Sequence, residues 1–269
     1  MFSKDYLAKR VINIDSTWGK ELLKRTSANE DIIITTGFDP SAQIHPIDVE
    51  YGAASTRVLL SVRGSQIEVT YPLVGRFNVE NVMTAFGVAL QLGYSSSAIV
   101  EALRDVPAVP GRLQHVSAEN DGGISIYVDY AHTPDALEKA IASVSALETE
   151  GKTIVVFCCG GDRDSGKRPI MGRAALAADY AVVTSDNPRT EDPNAIIEDI
   201  VAGMGEGTDH FEVVPDRREA IARAIAVAKS GDAILIAGKG HEDYQIIGTE
   251  KHHFDDREVA AEELKKVFG

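Results

Sequence analysis

Positive charge and cysteine are both scarce in this chain, and no apolar run in it is long. Lysine and arginine number 27 against 41 aspartates and glutamates, a formal net charge of −14 over 269 residues. Nucleic-acid surfaces and patches for anionic lipid need clustered cations, so that imbalance argues against both kinds of partner. A membrane-spanning helix needs ~20 consecutive apolar residues, which no stretch supplies, and the opening MFSKDYLAKR lacks the apolar core of a signal peptide. The only two cysteines, Cys158 and Cys159, are neighbours. Adjacent thiols make a poor structural staple, which points to a reducing, cytoplasmic compartment. What is abundant is ordinary core material: 44% of the residues are hydrophobic, enough for one large or two medium domains.

The two halves of the chain are patterned differently. The first predicts short strands at VINID (11–15) and DIIITTG (31–37) around a polar helix at 18–27. TRVLLSV and IEVTYPL then read as a hairpin about a Gly64-Ser65 turn. Val79, Val82, Met83, Phe86 and Leu90 recur at helical spacing within 78–92, and SSAIVEALRDV predicts a second helix. Pro107, Pro110 and Gly111 interrupt all regular pattern and mark an expected domain boundary. Beyond it, apolar runs at 125–130, 154–159, 181–185, 212–215 and 233–237 alternate with helical patterns at 135–150, 168–179, 193–204, 217–229 and 257–268. Strands without polar alternation, joined by helices, imply a mainly parallel sheet covered on both faces. The expected fold class is α/β. Ligands of such sheets gather in the loops at the carboxyl ends of the strands.

Four of those loops are chemically dense. In VDYAHTPDALEKA, Asp129 and His132 precede a helix that Thr133 can cap and Pro134 can start, so the helix N-terminus there can attract a phosphate. In CCGGDRDSGKRPIMG, Gly161 to Lys167 imitate a phosphate-binding P-loop, but Arg168 stands where Ser or Thr should hold Mg²⁺, and Asp162 and Asp164 would repel the phosphates. Arg163 between two carboxylates instead suits a ligand charged in both senses, such as an amino acid. VVTSDNPRTEDP places Asp186, Asn187 and Arg189 on a proline-stiffened turn, and AGKGHEDYQ brings Gly238, Lys239, Gly240, His241 and Glu242. Taken singly, each loop reads as ordinary turn chemistry, with Arg189 pairing Glu191 at the surface. Four of them at successive strand ends converge on one crevice.

VDYAHTPDALEKA, GGDRDSGKRPIMG, TSDNPRTEDP and GKGHEDYQ, with GRFNVENVMTAFGVALQLG and VPGRLQHV upstream, together resemble the Mur ligases, in the branch that adds meso-diaminopimelate. The resemblance covers essentially the whole chain; one departure is Cys158, where the family usually has glycine. It implies an ATP- and Mg²⁺-dependent amide ligase of peptidoglycan, and so cell-wall, synthesis. Such an enzyme activates the carboxylate of UDP-N-acetylmuramoyl-L-alanyl-D-glutamate for attack by the amine of meso-diaminopimelate. It also implies that the chain corresponds to the last half of such an enzyme. Residues 1–107 would be the tail of the α/β P-loop-type ATPase domain, and 108–269 a Rossmann-like C-terminal domain. The family's G-T-x-G-K-[ST] P-loop and its modified lysine are not in the sequence, so the chain alone is not expected to form the amide bond, and no metal ligand is expected in it. Residue by residue, the resemblance assigns Arg163, Asp186, Asn187, Pro188, Arg189, Gly238 and Glu242 to diaminopimelate. It assigns Asn78, Asn81, Arg112, Asp129 and His132 to ATP. Related amide ligases of folylpolyglutamate or cyanophycin type, and a binding module without turnover, are the competing readings.

Overall fold

In a computed structural model of the chain, the described residues are 9–26, 32–116, 121–147, 151–205 and 209–269. They form two compact units, Met1–Pro107 and Ala108–Gly269.

In the first unit the elements run β1 (Arg10–Asn13), α1 (Thr17–Thr26), β2 (Ile33–Thr36), β3 (Ile44–Tyr51), β4 (Thr56–Val62), β5 (Ser65–Tyr71), α2 (Arg76–Leu92) and α3 (Ser96–Arg104). They build one sheet in the order β1-β2-β3-β4-β5, parallel from β1 to β3 and antiparallel from β3 to β5. The β4–β5 turn is Arg63-Gly64, one residue earlier than the sequence pattern suggested. Both residues have positive φ (50° and 84°), as a two-residue turn matched to strand twist requires. β3 leaves little signal in the sequence, because IHPIDVEY carries a proline and three charged or polar positions. The register shifts between Pro46 and Asp48, which is how a central strand accommodates a residue without an N–H. α2 lays Val79, Val82, Met83 and Phe86 on Ile34, Ile44, Val58, Leu60 and Val69 of the sheet. It ends at Gly93, whose φ of 97° suits a residue without Cβ. Ser95 caps α3 by accepting from the Ala98 amide, a contact worth ~1 kcal/mol.

In the second unit the order is β6 (Gln114–Val116), β7 (Ser125–Asp129), α4 (Pro134–Ser145), β8 (Thr153–Phe157), α5 (Arg168–Ala175), β9 (Tyr180–Val183), α6 (Pro193–Val201), β10 (Phe211–Val213), α7 (Arg217–Val227), β11 (Ala233–Ala237), β12 (Tyr244–Ile247), β13 (Glu250–His253) and α8 (Asp256–Phe268). Six strands form a sheet ordered β10-β9-β8-β11-β7-β6, parallel throughout except for β6. TIVVF and AILIA, at the centre, are buried along their whole length, which is why they show no alternation. Thr133, Asp192, Asp216 and Asp255 each accept a backbone N–H at the start of α4, α6, α7 and α8. The last of the predicted positions of α4, 148–150, lie outside the described residues. β6 and the β12–β13 hairpin are additions to the sequence-based expectation: three- and four-residue strands are too short to show a period.

Between the units, Pro107 to Pro110 are exposed and belong to no helix or strand. Limited proteolysis is expected to cut near Val106–Gly111 and to leave a resistant piece from the second unit. The check is mass spectrometry of the products; a resistant piece from the first unit alone would contradict it.

Candidate functional site

The carboxyl ends of β7, β8, β9 and β11 carry the four dense loops, and the second unit ties them to one another. Asp129 closes β7 with its side chain 7% exposed. One oxygen accepts from the Leu113 amide at 2.8 Å and the other from the Ala131 amide at 2.8 Å. Burial pushes its carboxyl above the ordinary value, against the pull of those two amides and of Arg112. Asp129 therefore organises its neighbours: it holds the backbone beside Arg112 on one side and beside His132 on the other. Arg112 is exposed, with its guanidinium 5.2 Å from the centre of the Tyr130 ring. His132 is exposed too; its ring lies 4.6 Å from Tyr130, and its Nδ1 is 2.9 Å from the Tyr130 carbonyl. Arg112 and His132 thus both lie exposed against the Tyr130 ring, and His132 immediately precedes the cap of α4.

The loop after β8 is bound on both sides. Lys167 donates to the His132 carbonyl at 2.9 Å. Asp162 accepts from the Thr190 hydroxyl at 2.8 Å and from its amide at 3.2 Å, while Asp164 accepts from the Gly166 amide at 2.9 Å. Asp162 thus ties this loop to the turn after β9, while Asp164 holds its own loop. Arg163 is exposed and donates to the Asp162 carbonyl at 3.0 Å. Arg168, 3% exposed, holds Glu191 with two hydrogen bonds of 2.8 and 2.9 Å and reaches Asp199 at 3.0 Å. Burial raises the Cys158 thiol and pushes Cys159 up to about 11, so neither supplies a thiolate nucleophile near neutral pH.

The turn after β9 is the most constrained of the four. The Asn187 carbonyl accepts from the Gly161 amide at 2.9 Å, and a Cβ on Gly161 would come within 2.0 Å of the Pro188 carbonyl oxygen. Asn187 Oδ1 accepts from the Ile246 amide at 2.8 Å, and its Nδ2 donates to Asp186 and Glu242 at 3.1 Å each. Arg189 has φ 53°, a conformation that costs a non-glycine residue energy and needs surrounding contacts to persist. Those contacts exist: its amide donates to Ile246 O at 3.1 Å, its carbonyl accepts from Gly248 at 2.8 Å, and its Nη1 donates to Gly161 O at 2.6 Å. It does not pair with Glu191, which Arg168 occupies.

From β11 the loop passes through Gly238 (φ 117°) and Gly240 (φ 55°). A Cβ on Gly240 would press into Tyr130, at 2.6 Å from its Cβ, so this loop and the one after β7 are in direct backbone contact. Glu242 is 20% exposed at its side chain and faces Asn187. Lys239, between the two glycines, is fully buried, and the sequence pattern had not singled it out for a role. Its neighbours are charged and its own position in a Gly-Lys-Gly segment looked like an exposed loop, so nothing local signalled burial. Of the residues expected at nucleotide, Asn78 and Asn81 lie in the first unit at the start of α2. Asn78 is buried and donates to Val74 O at 2.8 Å, whereas Asn81 is exposed and donates to Asn78 at 3.3 Å.

Two matches to family models divide the chain as the units do: Mur ligase middle domain over residues 2–89, and Mur ligase glutamate ligase domain over 111–240. The chain belongs to the Mur ligase family. A UDP-N-acetylmuramoyl-L-alanyl-D-glutamate--2,6-diaminopimelate ligase of Gloeobacter violaceus is 48% identical over 268 residues, 99% of this chain and 53% of the relative. One of the same name from Clostridioides difficile is 42% identical, over 99% of this chain and 54% of the relative. The chain thus spans about half the length of the curated relatives it matches. Among solved structures, one of a UDP-N-acetylmuramoyl-L-alanyl-D-glutamate--2,6-diaminopimelate ligase superposes with a TM-score of 0.70 at 35% identity, covering 97% of this chain and 53% of that one. A folylpolyglutamate synthase from Mycobacterium tuberculosis, at 18% identity and a TM-score of 0.62, shares the fold. No described helix of this Mur ligase chain is long and apolar enough to cross a membrane.

Proposed function

We propose that this chain supplies the amino-acid-binding half, and part of the nucleotide site, of an ATP-dependent ligase that adds meso-diaminopimelate to UDP-N-acetylmuramoyl-L-alanyl-D-glutamate in peptidoglycan synthesis. On this reading residues 1–107 are the tail of the ATP-binding domain and 108–269 the C-terminal domain, working in the cytoplasm. The observation that carries it is the Asp186–Arg189 turn, where one amide side chain, Asn187, links an anion, Glu242, to the backbone that holds a cation, Arg189. The far end of meso-diaminopimelate carries an ammonium and a carboxylate, and a rigid anion–cation pair matches both at once. Arg189, with Arg163 nearby in the loop after β8, takes the carboxylate; a guanidinium can do so through two parallel hydrogen bonds. Glu242 takes the ammonium. Pro188 and the glycines at 161 and 238 keep the turn and its neighbours from moving, and a fixed pair is what selects between substrates.

For ATP, Arg112 and His132 both stand exposed against Tyr130, and His132 lies just before the N-terminus of α4, a setting suited to phosphate oxygens. Asp129 positions both through the backbone. In the first unit by itself, Asn81 is exposed on the first turns of α2 and donates to Asn78, and the family resemblance gives these two to nucleotide. When bound, ATP supplies the phosphoryl group that activates a carboxylate. Mg²⁺ is assigned no residue here, since no cluster of three or more His, Cys, Asp or Glu suited to a metal occurs among the described residues.

Calorimetric titration of the chain with meso-diaminopimelate and with L-lysine tests the amino-acid site. Tighter binding of meso-diaminopimelate, by tenfold or more, is the expected result, and equal affinities would remove the reading. In parallel, ATP-dependent ligation is expected only when the chain is joined to the P-loop-bearing half of a relative, because phosphoryl transfer needs that loop's amides, lysine and hydroxyl.

A further inference from the structure

Lys239 is 0% exposed at its side chain, and a buried ammonium is costly unless its neighbours satisfy it. Its Nζ lies 3.1 Å from Asp186 Oδ1 and 3.9 Å from Glu242 Oε2, and it donates to the carbonyl of Tyr244, the first residue of β12. The Tyr244 ring closes the fourth side at 5.5 Å. Lys239 therefore touches three pieces at once: the Asp186–Arg189 turn, its own loop, and the hairpin that hydrogen-bonds to Asn187 and Arg189. Asp186 is itself 7% exposed, and its second oxygen accepts from Asn187. Two carboxylates, Asp186 and Glu242, share the one Asn187 amide group, each at 3.1 Å from Nδ2. The Lys239 ammonium is the cation set against this pair, nearer to Asp186 than to Glu242.

We propose that Lys239 is a positioning residue for the substrate's far ammonium: it neutralises Asp186 and pins β12, leaving Glu242 as the single anion turned to the ligand. Asp186, although part of the reading turn, then serves as the partner of Lys239 and not as a ligand group. With Lys239 the three side chains carry one net negative charge, which one ammonium balances. Without it Asp186 has no buried counter-charge and the Tyr244 carbonyl loses its donor, so Glu242 no longer stands as the one fixed anion for the far ammonium. This inference rests on the assignment of these loops to meso-diaminopimelate.

The test uses three variants of the full chain: Lys239→Met, Asp186→Asn, and the two combined. Calorimetry compares meso-diaminopimelate with 2-aminopimelate, which keeps the far carboxylate but lacks the far ammonium. If the wild-type chain fails to prefer meso-diaminopimelate, the site assignment itself falls. If it does prefer it, Lys239→Met is expected to cut that preference at least tenfold while changing 2-aminopimelate binding little. The combined variant, which removes both buried charges, is expected to recover most of the preference and keeps the test decisive should Lys239→Met fold poorly. Equal weakening of both ligands in Lys239→Met would mean a purely structural lysine and would overturn the proposal. So would a combined variant whose preference stays lost.

Discussion

Arg217→Met is expected to destabilise the second unit by about 3–5 kcal/mol, the usual result of removing one partner of a buried ion pair. Arg217 and Asp256 are both 0% exposed at their side chains. The guanidinium donates from Nε and Nη2 to the two carboxylate oxygens at 2.7 Å each, to the Ala237 carbonyl at 3.1 Å, and toward Cys158 Sγ at 3.5 Å. One side chain thus joins the first turns of α7 and α8 to the ends of β11 and β8, directly behind the loops of the proposed site. Methionine fills much of the volume but leaves the Asp256 carboxylate buried without a counter-charge, and that unpaired group carries most of the expected loss. Replacing both, Arg217→Met with Asp256→Asn, removes the unpaired charge and is expected to cost less than the single change. Urea unfolding of the chain, followed by circular dichroism, measures both. A single-variant loss below about 1 kcal/mol, the range of an exposed ion pair, would show that the contact does not hold the elements together.

Arg189→Ala is expected to weaken meso-diaminopimelate binding by ten- to a hundredfold. Hydrogen bonds to charged groups contribute ~1.5–3 kcal/mol each, and every 1.4 kcal/mol is a factor of ten. L-lysine lacks the far carboxylate, so its weaker binding is expected to stay nearly unchanged and the preference to shrink. Arg189→Lys should rescue only in part, because an ammonium cannot present two parallel planar donors. Arg189→Gly separates the side chain from the backbone: glycine adopts φ 53° without strain, whereas alanine retains it. Matching binding losses in Gly and Ala would assign the effect to the guanidinium, and a preference unchanged in both would show that the turn does not read the substrate. Pairing of Arg189 with Glu191, which would have predicted a small and unselective effect, is ruled out by the two hydrogen bonds from Arg168 to Glu191.

What the chain's sequence determined by itself was local. The helix start at Thr133 was legible because the cap and the amide it accepts from lie three residues apart. The parallel sheet was legible because strands buried on both faces must be apolar throughout, as TIVVF and AILIA are. The four loops were legible because glycine, proline and charge together at a strand end have few other uses. Tertiary structure alone decided which charges remain for a ligand. Arg168 meets Glu191 across 23 residues, Asp129 meets the Leu113 amide across 16, and Asn187 meets the Ile246 amide across 59. Such partners leave no mark in sequence spacing, because the distance that matters is set by the packing of strands between them. Lys239 is the sharpest case: charge and flanking glycines describe an exposed loop residue, and only the closing of the β12–β13 hairpin over Asp186 makes it a buried one.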